Sequence, residues 1–478
     1  WYLTGQPFKP PPLAVVIDYN SHIISANNLA ELSAGDWFRL SSYNTTVTDS
    51  YANGSVGQIS RLESKNSNNG TMLDIASKYP KYYASDDLRI YKTVPIQSIG
   101  IENLEIWRND SGYSSENSGG FCGNNVNLVN AVNCWIKGVY LYQTCRSHIL
   151  IYKCAHQEVS GCYLHDARHH GEEGGGYAYG VALGFSSCNC LIENNIFHKL
   201  RHAMSVQTGA NMNVFSFNYS YEQYWEWNGY WVPICGIDII SDITGYPAYC
   251  GGDLCLHGNW PFSNLFEHNW SCNIIADGYH GPNGTNNWFL RDMTYDDSRD
   301  EEHIISLHDA PDFQVGACMC TQDRASYVYA TGDKGTAWAD WFGYWEASQT
   351  MYAHTLFYLG THDASDGYIN QTSLFYASRP DFLSLTYSWP AIGPKLSRYD
   401  NFSSISQNIP ARDRFNSLNK TYLPDPTSKP FTATGTIPYT QTWSANHIVT
   451  GNITVPSGLT LTIKSGVTVT FSGSSYIT

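Results

Sequence analysis

Six short runs limit what this chain can fold into. They are IENLEI from Ile101, IKGVYL from Ile136, VSGCYL from Val159, IENNIF from Ile192, FSFNYS from Phe215 and FEHNWS from Phe266. The first residue is always large and apolar, and the fifth is usually Ile, Tyr or Trp. The fourth runs Leu, Val, Cys, Asn, Asn, Asn. The starts lie 35, 23, 33, 23 and 51 residues apart. A step near 23 that lengthens where loops are inserted marks a solenoid. Each unit holds several short strands separated by Gly, Asn and Ser, not a pair of helices. The expected fold is all-β: a right-handed parallel β-helix with long loop insertions and a C-terminal β-helix-like stub. Its coils stack about 4.8 Å apart.

The recurring Asn fits that stack. Asn tolerates the left-handed backbone of a tight bend. Its amide can also donate to and accept from the same residue one coil away. Asn195, Asn218 and Asn269 are therefore expected to form a buried ladder. Two of these, Asn218 and Asn269, are also glycosylation sequons, and a buried ladder excludes a sugar. With the ladder kept, nine sequons remain for glycans: Asn44, Asn53, Asn69, Asn109, Asn283, Asn370, Asn401, Asn419 and Asn452.

Four regions are expected. Residues 1–98 form a β-rich entry region, and 99–400 form the main β-helix with covering loops. Residues 401–435 are a Pro-rich linker. Residues 436–478, with alternating strands split by PSG and KSG, read as the opening coil of a second β-helix or as subunit-docking strands. Unmatched coils at the ends would leave open backbone edges, which suggests end-to-end self-association.

Formal net charge is -15, and only 14% of residues are charged. Nucleic-acid binding needs clustered Lys and Arg, so it is not expected. No apolar run is long enough to span a bilayer. The chain begins at Trp1 with no charged and apolar leader, and the sequons agree with a processed, extracellular or cell-surface glycoprotein. All 13 Cys fall between Cys122 and Cys320, with no CxxC. Cys250 and Cys255 are close enough for a small disulfide loop, and the CxC pairs 188/190 and 318/320 should bond or pack against neighbouring strands.

The segments VGQISRLES, GIENLEIWR, CYLHDARHHGEEGGGYAYGVAL, CLIENNIFHKLRHAMSVQTGANMNVFSFNYS, CLHGNWPFSNLFEHN and LFYASRPDFLSLTYSWPAIGP span roughly residues 35–415. Together they resemble secreted right-handed parallel β-helix proteins of the pectate-lyase-like superfamily. That superfamily includes lyases, hydrolases, phage tailspikes and surface proteins.

Several residues are candidates for chemistry. His165, Asp166, His169, His170, Glu172 and Glu173 lie in one loop, as a metal site, an acid–base site or a solvated loop. Lys199, Arg201 and His202 follow in HKLRHAMSVQ. The resemblance implies a lyase base of Arg or Lys with a cation on the sugar acid. Arg201 and Lys199, read as sharing a strand face, would supply both; the alternative is an ion-paired Arg201 and a core His202. Glu193 and Glu267 share a column, which would place them about 10 Å apart if two coils separate them. An inverting glycosidase pair sits at about 6.5–9.5 Å. Asp296, Asp297, Asp300 and Glu302 offer a Ca²⁺ site or a solvated acidic loop. The run YEQYWEWNGYW could stack on sugars or bury against protein.

Two functions follow as expectations. One is a structural or adhesive cell-surface β-helix glycoprotein that assembles end to end into filaments or arrays. The other is a polysaccharide lyase or glycoside hydrolase acting on an extracellular glycan.

Overall fold

The computed structural model describes residues 2–4, 13–14, 16–17, 22–25, 29, 31–43, 48–66, 69–74, 89–108, 122–167, 177–227, 230–233, 252–278, 280–294, 305–308, 313–316, 318–320, 328–331, 352–353, 372–393, 406–417, 431–436, 441–443, 447–457, 460–463 and 467–478. Its body is a right-handed parallel β-helix of three sheets. Sheet 1 includes Val126–Val129, Ser147–Tyr152, Tyr179–Gly184, His202–Val206, Leu254–Leu256 and Ile274–Ala276. Sheet 2 includes Gly100–Glu102, Trp135–Lys137, Glu158–Ser160, Leu191–Glu193, Val214–Ser216, Leu265–Glu267 and Trp288–Leu290. Sheet 3 includes Glu105–Trp107, Tyr140–Thr144, Tyr163–Ala167, Ile196–His198, Tyr219–Tyr221 and Trp270–Ser271.

The run starts superimpose in register. Ile101, Ile136, Val159, Ile192, Phe215, Phe266 and Phe289 pair successively along sheet 2. All are buried in one continuous core. Phe215, Phe266 and Phe289 stack with centroids 5.1 and 5.2 Å apart. Burying each such side chain contributes about 1.5–3 kcal/mol, so the column is a main source of stability.

The Asn ladder forms as expected. Asn195 Nδ2 donates to Asn218 Oδ1 at 3.0 Å, Asn218 Nδ2 to Asn269 Oδ1 at 2.9 Å, and Asn269 Nδ2 to Asp292 Oδ1 at 2.9 Å. Each Nδ2 also reaches a carbonyl of the coil before: Val159, Ile192 and Phe215. Asn218 and Asn269 are fully buried, which leaves no room for glycans. A second ladder joins Asn213, Asn264 and Asn287 at 3.0 Å per step.

The ladder Asn do not themselves take the left-handed backbone. The left-handed residue is the one before the ladder, at Asn103, Gly138, Gly161, Asn194, Phe217, His268 and Arg291, with φ of 48–63°. Asn195, Asn218 and Asn269 are kept for their amides, not for their backbone. The coil imposes the bend even on Phe217, His268 and Arg291, against a cost of about 1–2 kcal/mol each.

Four long connections run from sheet 3 to sheet 1, 108–125, 168–178, 222–253 and 295–304, while 277–287 runs from sheet 1 to sheet 2. The coils between them turn the same corner in 145–146, 199–201 and 272–273. Long and short corners therefore alternate. Cys122 in the first long connection is disulfide-bonded to Cys145 in the next short one.

Elsewhere, a seven-stranded antiparallel sheet includes Trp37–Ser42, Val56–Lys65 and Arg89–Thr93. Its Trp37 and Ile59 pack on Val132, Ala155 and Cys188, between sheets 1 and 2. Pro410–Ser417, inside the stretch read as a linker, is an α-helix, with Pro410 suited to its first turn. Phe415 packs on Tyr163, His198, Tyr219 and Tyr221 of sheet 3. Phe431–Thr436, which begins in the stretch read as a linker, pairs in parallel with His447–Thr454, and that strand with Val469–Phe471.

Candidate functional site

The outer face of sheet 3 carries a column of rings. Trp107, Tyr142, His165, His198 and Tyr221 are register partners on successive coils. Each is the sixth residue after its run's first, so sheet register alone brings them together. Neighbouring centroids lie 6.5, 4.8, 6.4 and 6.3 Å apart. Phe415 of the helix covers the His198 end, with centroids 5.1 Å apart. At the other end Trp107 is 56% exposed and Tyr142 is half-buried.

A hydrogen-bonded chain of side chains lies against this column. His165 Nδ1–H donates to Asp166 Oδ2 at 2.5 Å, and Tyr140 O–H donates to His165 Nε2 at 2.5 Å. This tautomer is the one that satisfies both partners. Burial pushes the Asp166 carboxyl up, but the His165 hydrogen bond and charge, with Lys199, outweigh it and hold it below its usual value. Burial, then the charges of Glu105, Tyr142 and Asp166, raise the Tyr140 phenol to about 12. Asp166 is thus ionised at neutral pH and Tyr140 keeps its proton. Asp166 orients the His165 ring, and His165 Nε2 in turn holds the Tyr140 hydroxyl in place. Next along the column, His198 binds Glu222 at 2.6 Å and Tyr163 O–H at 3.2 Å. Burial outweighs Glu222 there and lowers the His198 pKa.

The proposed Lys199–Arg201 pair does not share a face. Lys199 has φ of 56° and ends the sheet 3 side, where its charge acts on Asp166 and His198. Arg201 lies over the Tyr179 ring of sheet 1, at 5.9 Å. Strand alternation fails here because the three residues 199–201 form the corner itself. His202 is fully buried, and its Nδ1–H donates to the Gly252 carbonyl at 2.6 Å. Burial, then the Arg201 and His257 charges, push its pKa well down, so it is neutral.

Glu193 and Glu267 occupy one column of sheet 2 with Ser216 between them, so two coils separate them. Both hold a covering segment rather than facing a cleft. Tyr376 O–H donates to Glu193 at 2.6 Å, and Ser373 and the Leu374 N–H donate to Glu267 at 2.5 and 2.9 Å.

The Cys250–Cys255 bridge does not form. Cys255 is a free, buried thiol in mid-strand, with Sγ 3.6 Å from Asp277 Oδ2 on the next coil. Cys188 and Cys190 are also free thiols, and the left-handed Asn189 between them sends one to the N-terminal sheet and the other to the core. Asn283 is not a glycan site: it is buried, and its Nδ2 donates to the Asp277 carbonyl at 2.9 Å. Asn53, Asn69 and Asn452 are exposed. Asn44, Asn109, Asn370, Asn401 and Asn419 lie outside the described residues, as do Cys250, His169, His170, Glu172, Glu173, Asp296, Asp297, Asp300 and Glu302. From YEQYWEWNGYW, Tyr224–Trp227 pairs antiparallel with Tyr230–Pro233, which runs two residues past it.

No protein-family model and no curated protein matches the sequence. Three solved phage tailspikes are similar in structure. The tailspike gp49 of Pseudomonas phage LKA1 is 16% identical with a TM-score of 0.45, over 67% of this chain and 47% of that one. The gp54 tailspike of Acinetobacter baumannii bacteriophage AP22, solved with A. baumannii capsular saccharide, is 12% identical with a TM-score of 0.44, over 69% and 47%. The tailspike gp61 of Pseudomonas phage phi297 is 11% identical with a TM-score of 0.47, over 70% and 50%. The aligned part is about half the length of those tailspikes.

Sequence reasoning reached His165, Asp166 and Lys199 but missed Tyr140, Tyr142 and Trp107. The signal was the shared offset from the run starts, which assigns all of them except Asp166 and Lys199 to two adjacent columns of one sheet. No helix among the described residues is long and apolar enough to cross a membrane.

Proposed function

We propose that the outer face of sheet 3 binds polysaccharide and that the chain is an extracellular, surface-recognising β-helix. The observation that carries this is Trp107, exposed and in register with Tyr142, above a polar edge of Glu105, Gln143 and Tyr140. Aromatic faces are electron-rich and attract polarised C–H groups, which sugar rings present on their flat sides. Parallel coils repeat such platforms at about 4.8 Å, a register suited to an extended chain of rings. A net charge of -15 favours a neutral glycan over an uncompensated polyanion. In the adhesive form of this function, the ledge holds the polymer without cutting it.

The test is affinity electrophoresis of the full chain through gels containing individual neutral and acidic polysaccharides. Retardation by at least one polymer is expected, with loss of most of it in Trp107→Ala. Equal retardation of that variant, or none of the wild type by any polymer, overturns the assignment.

A second reading, cleavage, is favoured by the hydrogen-bonded Tyr140–His165–Asp166 chain. With its proton held, Tyr140 suits donation to a leaving glycosidic oxygen. Release of reducing ends or of unsaturated product from a polymer that binds separates cleavage from adhesion.

A further inference from the structure

Sheet 1 carries a different cluster. Cys255 ends its side chain on the outer face of Leu254–Leu256, since Leu254 and Leu256 point into the core. His257 follows two residues later. Leu256 pairs with Ala276, which puts Asp277 on the next coil beside His257. One ligand atom from each of Cys255, His257 and Asp277 lies within 4.8 Å of the other two, and all three residues are buried. His257 Nδ1 is 2.6 Å from Asp277 Oδ2. We propose that these three side chains form a binding site for one zinc-class divalent transition-metal ion.

The donor set selects the class. A thiolate, an imidazole and a carboxylate suit Zn²⁺ or Co²⁺, whereas Ca²⁺ and Mg²⁺ take oxygen ligands. Asp277 Oδ2 faces both the Cys255 thiol and the His257 ring, so the three donors already stand together. A divalent ion would replace the thiol proton and neutralise Asp277 together. Three protein ligands leave one tetrahedral position for water or a further ligand. The shell around them is ordered. Asn283 Nδ2 donates to the Asp277 carbonyl, and the His280 ring stands edge-on to His257 with centroids 4.7 Å apart. His280 Nδ1–H in turn donates to Asp49 Oδ2 at 3.2 Å. Tyr51, 58% exposed, lies against His280 on the solvent side. This site stands on sheet 1 and does not depend on the sheet 3 ledge.

The experiment uses the reduced, chelator-treated full chain and Co²⁺ as the probe. The expected result is one Co²⁺ per chain with a near-ultraviolet thiolate-to-cobalt charge-transfer band that Zn²⁺ bleaches. Cys255→Ser should abolish the band, and Asp277→Asn should weaken Co²⁺ binding by more than about tenfold. Should either variant fail to fold, the wild type still decides: Zn²⁺ should raise its unfolding temperature in a concentration-dependent way. No thiolate band in the wild type, a band that survives in folded Cys255→Ser, or no thermal shift with Zn²⁺ overturns the site.

Discussion

Asn218 donates its side-chain amide to Asn269 Oδ1 at 2.9 Å, and the same oxygen accepts the Asn218 backbone N–H at 3.1 Å. One oxygen thus satisfies two buried donors of the coil before, and the arrangement repeats between Asn195 and Asn218.

Asn218→Ala should therefore be expensive. It leaves the backbone N–H and Nδ2 of Asn195 without their acceptor and the Ile192 carbonyl without its donor. Each stranded buried group costs about 1–3 kcal/mol. A loss of about 3 kcal/mol or more is expected from urea unfolding midpoints. A loss below about 0.5 kcal/mol would mean the ladder is not a stabilising feature.

Asp292 ends that ladder as a fully buried acid. Burial, partly offset by the Asn269 hydrogen bonds, pushes its pKa well above the usual carboxylate range. The folded state therefore holds the proton more tightly than the unfolded one. Its stabilising effect is complete below about pH 4 and is lost as pH rises toward the folded pKa. Asp292→Asn removes that loss and continues the amide series. Its stability advantage over wild type should grow from about pH 4 upward; a gap that stays constant with pH contradicts this.

Ser98 tests the corner without touching the core. It is exposed and has φ of 54°. Ser98→Val places a β-branched residue in the left-handed region and should cost about 1–2 kcal/mol. Ser98→Gly should be neutral or slightly stabilising by the same unfolding assay. Equal stability of both variants would mean that the bend relaxes freely.

Tyr140→Phe keeps the ring and removes its hydroxyl. If the ledge cleaves what it binds, product release should fall by about 10²–10⁴-fold. Calorimetric affinity for the same polymer should stay within about twofold. A parallel fall in affinity would make Tyr140 a binding group instead.

The solenoid was readable from the sequence because inward residues recur at fixed offsets, as Ile136, Val159, Ile192 and Phe215 do. The ladder was readable because buried Asn has few other uses. The left-handed positions were not, since Phe217, His268 and Arg291 have no intrinsic preference for them; the coil dictates that backbone. Lys199 and Arg201 fall on different faces because 199–201 form a corner, which has no two-residue alternation. The ring column was spelled out at a constant offset, but Trp, Tyr and His do not look like one set until the coils are stacked. Cys255, His257 and Asp277 meet only because two coils separated by a tight corner lie side by side.

The placement of the four long connections from sheet 3 to sheet 1 has a further consequence. They leave from one corner and skip every second coil, while the two amide ladders sit at the other two corners. No ladder residue lies in these four segments, so changing their length leaves every amide step in place. The length of these connections and the amide steps of the stack can therefore vary independently of one another.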